Sequence, residues 1–204
     1  MIPLGKLAIQ LSKLQGFASP KIKLEQYLTP SHSAAQLLWN AYMLGDVEGK
    51  IITDLGSGTG ILGIGAILLG AKKVFFVEND SQAIKKLEEN LETLKMLKNK
   101  FQIICKKVEE YEKKSDVVIQ NPPFGTKQAH MDRLFLQTAF NCAPIVYSLH
   151  KTITNEFIHI FSKDNSFNIT HEWKEEMNLN ATYTFHKKKK QPIFVTWYRF
   201  QKKE

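Results

Sequence analysis

The chain has 204 residues, of which 43% are hydrophobic and 24% charged; this is the composition of one globular domain with a full core, and it excludes a disordered or fibrous protein. Twenty-eight Lys and Arg against twenty Asp and Glu leave a formal net charge of +8, which favours a polyanionic partner without identifying it. Only Cys105 and Cys142 are present, too few for a metal site or a disulfide framework; both stand in apolar runs, so buried free thiols and a reducing cytoplasm are expected.

Residues 1–14 are apolar but interrupted by Lys6 and Lys13, unlike a signal peptide or a membrane span, and no membrane association is expected. Leu4, Leu7, Leu11 and Leu14 recur at helical spacing, which predicts an amphipathic helix over 3–15 with Gly16 as its stop. Residues 19–30 hold two prolines and no clear period, as an extended surface segment does. Thr29-Pro30-Ser31 resembles a helix start, with Thr29 or Ser31 as N-cap for a helix carrying Ala34, Leu37, Leu38 and Tyr42.

Lys50 to Asp54 reads as a short strand. It feeds the run Asp54-Leu55-Gly56-Ser57-Gly58-Thr59-Gly60 and then a helix with Ile61, Leu62, Ile64 and Ile67. This is the strand, glycine turn, helix unit of a nucleotide-binding fold: the glycines let backbone approach a ligand closely, and Asp54 faces a cationic or donor group. A second strand, Lys73 to Val77, ends at Glu78, about twenty residues after the turn, where a carboxylate accepts from both ribose hydroxyls. Asp80 or Ser81 caps the next helix, whose apolar face is Ala83, Ile84, Leu87 and Leu91.

Phe101 to Cys105 and Asp116 to Gln120 read as the third and fourth strands. The fourth delivers Asn121-Pro122-Pro123-Phe124 to the carboxyl edge of the sheet. The Asn amide accepts from an exocyclic amine, the prolines fix the backbone and leave the Pro122 carbonyl as a second acceptor, and Phe124 offers a face on which a planar base can stack. Residues 125–131 read as a mobile segment, followed by a helix carrying Leu134 to Phe140 with Asp132 as its cap. Ile145 to Leu149 is a fifth strand ending at His150-Lys151, and a helix runs from about 154 to 161. Phe167-Asn168-Ile169 and Ile193 to Phe200 alternate as an antiparallel pair, separated by a turn holding Lys187, Lys188, Lys189 and Lys190.

Asp-Leu-Gly-x-Gly-x-Gly and Asn-Pro-Pro-Phe together resemble class I S-adenosylmethionine-dependent methyltransferases that act on an exocyclic or amide nitrogen. Gln26-x-x-Thr29-Pro30, Asn121 to Lys127, Val146-Tyr147-Ser148-Leu149-His150-Lys151 and Phe185-His186-Lys187-Lys188-Lys189 narrow the match. They are similar to the archaeal and eukaryotic family of small methyltransferases whose eukaryotic member makes N6-methyladenosine in small-subunit ribosomal RNA. The resemblance implies an α/β, class I (Rossmann-like) fold in which a seven-stranded, mostly parallel sheet has an antiparallel edge strand and helices on both faces. One domain would span 1–204, with 1–49 as a helical and extended cap over a sheet core of 50–204.

For the cofactor, S-adenosyl-L-methionine, the resemblance implies contacts from Gln26, Thr29, Asp54, Gly56, Ser57, Gly58, Thr59, Gly60, Ile61, Glu78, Asn79, Val108 and Asn121. Asn121, Pro122, Pro123 and Phe124 would be catalytic. Phe124, Lys127, His150 and Lys187 to Lys190 would bind the substrate, and no metal is implied. The implied partners are ribosomal RNA and a small zinc-binding methyltransferase activator that adds a strand to the sheet. One departure stands out: where such families place an Asp after the third strand to hold the cofactor's adenine, this chain has Lys107 before Val108. Two alternatives remain open from sequence, a glutamine-amide methyltransferase acting on a release factor and a non-catalytic RNA-binding or assembly protein on the same fold.

Overall fold

The computed structural model describes residues 2–18, 20–21, 26, 28–124, 131–177 and 193–203. The strands are β1 (Ile51–Leu55), β2 (Lys73–Glu78), β3 (Phe101–Cys105), β4 (Val117–Gln120), β5 (Ile145–Lys151), β6 (Phe167–Met177) and β7 (Ile193–Lys202). They form one seven-stranded sheet in the order β3-β2-β1-β4-β5-β7-β6. The first five are parallel to one another, as helical crossovers demand. β7 runs antiparallel to both β5 and β6.

Helices α1 (Leu4–Ser12), α2 (Ser31–Met43), α3 (Ile61–Leu68), α4 (Ser81–Thr93), α5 (Met131–Cys142) and α6 (Asn155–Asp164) flank the sheet. Strand alternation divides the core in two. Ile52, Val117, Ile119, Tyr147 and Trp197 pack with Leu7, Leu11, Leu38, Ile64 and Leu87 of α1 to α4. Leu55, Val118, Val146, Tyr198 and Phe200 pack with Leu136, Phe140, Ile158 and Phe161 of α5 and α6. Each central strand is thus apolar on both faces, which is why these segments read as continuous runs and not as alternating ones.

A buried polar cluster ties the end of α2 to the antiparallel part of the sheet. Arg199 Nε donates to Asp46 Oδ2 at 2.7 Å and Tyr147 Oη to the same oxygen at 2.6 Å. Losing one member of such a pair costs about 3–5 kcal/mol, because the other charge stays buried and unpaired.

Several expectations need correction. The first helix is shorter than 3–15. Pro30 is the N-cap residue of α2 and no side chain caps it; neither Thr29 nor Ser31 does so, and the Thr29 hydroxyl is engaged elsewhere. Asp132 lies inside the first turn of α5, where it accepts from the N–H of Arg133. Cys142 is buried but Cys105 is exposed, because β3 is an edge strand. β6 extends well past Ile169; Glu172, Lys174 and Glu176 hide its period, since a half-solvated edge strand tolerates charge on its outer face, and Glu175 turns inward to accept from Trp197 Nε1 at 3.0 Å.

Candidate active site

The strand order reverses between β1 and β4, so the crevice at their carboxyl ends is the topological switch point, where open α/β sheets bind ligands. Leu55 stands opposite Gln120 in the parallel register. That pairing brings the glycine turn after β1 and Asn121 after β4 to the same edge.

The turn is held from two sides. Gly56 N and Ser57 N both donate to the Val77 carbonyl at 2.9 Å. Glu78 accepts from Gly58 N at 2.8 Å and from the Asn79 and Asp80 amides at 2.8 and 2.9 Å. Asp54 accepts from Gly63 N at 2.8 Å. Gly60, with φ 91°, leads into α3, and a Cβ there would stand 2.3 Å from Leu87; at Gly58, with φ 53°, it would stand 2.9 Å from Phe17. Only glycine fits both the conformation and the space.

The N-terminal segment folds over this turn. Lys21 Nζ and Gln26 Nε2 each donate to Asp80 at 2.7 Å, one to each carboxylate oxygen, and Lys21 N donates to Gln26 Oε1 at 2.9 Å. Gln26 is thereby drawn to the β2 side of the crevice. Thr29 lies on the other side, where its Oγ1 accepts from Asn121 Nδ2 at 2.9 Å.

Between them is a cleft of about 380 Å³, a volume within the usual range for ligand sites. Of the residues expected to contact a cofactor, Gln26, Thr29, Asp54, Gly56, Ser57, Gly58, Thr59, Ile61, Glu78, Asn79, Val108 and Asn121 line it, as does Pro123. Gly60 does not line it. Burial pushes the Asp54 carboxyl up to about 7, the Gly63 N–H opposes this, and the nearby Glu78 adds to it. Ser57 Oγ and Asn121 Oδ1 are buried with no hydrogen-bond partner among the described residues. A cradle of backbone, two carboxylates and two unsatisfied buried oxygens fit a polar, partly cationic ligand such as S-adenosylmethionine.

Pro122 is buried and Phe124 half-buried; the Lys151 ammonium sits 5.5 Å from the centre of the Phe124 ring. His150 does not face a substrate. It is 2% exposed, its Nε2 lies 2.7 Å from Ser148 Oγ, and Gln120 Nε2 donates to that same oxygen at 3.0 Å. Burial pushes its pKa down to about 3, so the ring is neutral and braces the end of β5. Lys127 and Lys187 to Lys190 lie outside the described residues.

Sequence reasoning missed Phe17, Leu28, Leu62, Lys106, Glu109, Met131 and Phe135, which also line the cleft, as does Lys107, the departure already noted. Phe17 sits in a segment without period, and no local signal marks it. Glu109 was findable: it puts a carboxylate on the wall where Lys107 replaces the expected acid. Among the described residues there is no cluster of His, Cys, Asp and Glu able to hold a metal, and no helix is long and apolar enough to cross a membrane.

Fold and cleft together define a class I S-adenosylmethionine-dependent methyltransferase. The model of the family described as "Conserved hypothetical protein 95" matches residues 32–190, and the chain belongs to that family. It is 40% identical to the rRNA N(6)-adenosine-methyltransferase METTL5 of Danio rerio over 97% of this chain and 98% of that one. It is 37% identical to the Drosophila melanogaster rRNA N(6)-adenosine-methyltransferase Mettl5, over 98% and 97%. A crystal structure from Pyrococcus horikoshii, described provisionally as an RNA methyltransferase, superposes with a TM-score of 0.91 at 46% identity over 99% of this chain and 98% of that one. Magnesium protoporphyrin IX methyltransferase of Synechocystis, solved with S-adenosylmethionine bound, matches in fold alone, with a TM-score of 0.70 at 12% identity over 84% and 78%.

A cationic ligand favours the ionised form of Asp54, so binding releases its proton. Cofactor affinity is therefore expected to rise with pH through about 7 and then level off. Asp54→Asn is expected to weaken binding by about tenfold or more and to flatten that dependence; calorimetric titrations from pH 6 to 8 check both.

Proposed function

We propose that the chain transfers a methyl group from S-adenosylmethionine to N6 of an adenosine in small-subunit ribosomal RNA. The observation that carries this reading is the buried, unpaired Asn121 Oδ1 in the wall of the cofactor cleft, an acceptor waiting for a donor beside the methyl source. The names of the full-length METTL5 relatives and the net charge of +8 point to the same acceptor class.

On this reading Asp54 and the glycine turn Gly56 to Ile61 hold the methionine end, Glu78 and Asn79 the ribose, and Val108 with Glu109 the adenine. The bound cofactor supplies an electrophilic sulfonium methyl. Asn121 Oδ1 and the Pro122 carbonyl accept the two N6 hydrogens and free the nitrogen lone pair toward that methyl, while Phe124 stacks on the flipped base. Unstacking adenine costs a few kcal/mol and stacking offsets it. Positioning and fixed dipoles carry the rate, and no ionised base is required; the neutral, buried His150 is consistent with that. The proton leaves through water. Asn121→Ala is expected to cut labelled methyl transfer to small-subunit RNA by about two to three orders of magnitude, with N6-methyladenosine as the product on nucleoside analysis. Full activity in the variant, or label in release factor and none in RNA, would refute the proposal.

We further propose that Lys127 and Lys187 to Lys190 contact the RNA backbone. Replacing the four consecutive lysines by alanine is expected to weaken RNA binding and to reduce the salt slope by about 0.7 for each phosphate no longer neutralised. Unchanged affinity and slope would reduce the run to solvated surface.

The proposed zinc-binding activator is best accommodated on β3. Phe101, Ile103 and Ile104 are half-buried and the strand carries no charge, whereas the β6 edge is guarded by Glu and Lys, which discourages strand addition. Cys105 is exposed at the end of β3. The activator is expected to protect it from a maleimide reagent, and equal labelling in the bound and free protein would place the partner elsewhere.

A further inference from the structure

The amide of Asn121 is anchored by a residue far away in the sequence, Thr29. A primary carboxamide is planar, with its acceptor and its donors on opposite sides, and the terminal torsion of Asn is broad and roughly two-fold. Left to itself the group could turn its oxygen or its N–H groups toward a substrate. Here Nδ2 donates to Thr29 Oγ1 at 2.9 Å, which leaves Oδ1 as the unpaired buried oxygen. Thr29 is itself 5% exposed and is followed by Pro30, whose φ of −56° leads into α2 and whose carbonyl accepts from Ala34 N at 2.9 Å. The hydroxyl is therefore fixed by the first turn of a helix packed in the core.

We propose that Thr29 is a positioning residue that anchors the Asn121 amide at the cleft with Oδ1 left over for an exocyclic amine, and so contributes to the choice of an amine over a carbonyl. With Oδ1 presented, an amino group on a planar ring finds an acceptor for its N–H. A ring carbonyl at the same place, as on guanine or uracil, meets a second oxygen and has no hydrogen bond to make. Burying such an unmatched pair of acceptors is costly, so the orientation of one amide contributes base selectivity. This rests on the amino-methyltransfer reading, and it moves Thr29 from contacting cofactor to acting through Asn121.

The test replaces Thr29 by Val, which keeps the shape and removes the hydroxyl, and by Ser, which keeps it. Thr29→Val is expected to lower kcat by about tenfold, to leave the dissociation constant of S-adenosylmethionine unchanged, and to shift the side-chain amide resonances of Asn121 in the isolated protein. Thr29→Ser is expected to retain the wild-type kcat and resonances. Weaker cofactor binding with kcat intact would make Thr29 a cofactor residue and overturn the proposal. So would unmoved Asn121 resonances in the Val variant. The resonance measurement needs no RNA, so a wild-type protein that failed to methylate RNA would count against the acceptor assignment alone.

Discussion

The site depends on one pairing, the parallel ladder between β1 and β4. Because Leu55 stands opposite Gln120, the two chain segments that wall the cleft leave the sheet side by side. A slip of one residue would turn the apolar side chains of β4 to the other face. With Ile119 packed into one core layer and Val118 into the other, the register is locked by packing on both sides. Hydrophobic burial therefore fixes the distance between the glycine turn and the Asn-Pro-Pro-Phe loop, and no polar contact between them is needed.

The polar groups then refine what the ladder has set. Glu78 closes the glycine turn through Gly58, and the segment before α2 is latched at Asp80 by Lys21 and Gln26. Thr29, at the end of that segment, reaches Asn121. Lys21 and Gln26 are thus bound at Asp80, on one side of the cleft, and Thr29 at Asn121, on the other.

The fold was largely legible because its signals are local. β1, β2 and β4 are apolar runs that end at residues lining the cleft, Asp54, Glu78 and Asn121, and the glycine turn is a covalently contiguous motif. What escaped reading depends on contacts far apart in sequence. His150 lies next to Lys151 at a strand end, which suggests exposure, but alternation along β5 turns its ring inward beside Ser148 and Gln120. Cys105 sits in an apolar run, yet among the described residues β3 is the edge of the sheet, so Cys105 meets solvent. Thr29 carries the signal of a helix cap, and only the packing of α2 against the sheet reveals that Asn121 takes its hydroxyl. Phe17 belongs to the same class, since a lone aromatic in an aperiodic segment announces nothing.

On the proposed reading, Asn121 presents an acceptor to the target nitrogen beside the cofactor's methyl group. A crystal structure with a bisubstrate analogue joining the cofactor to adenosine N6 tests this most directly. The account predicts that N6 lies within hydrogen-bonding distance, about 3 Å, of both Asn121 Oδ1 and the Pro122 carbonyl, with the base stacked on Phe124. An analogue bound with N6 turned away from Asn121, or with Asn121 offering its N–H groups instead, would contradict it.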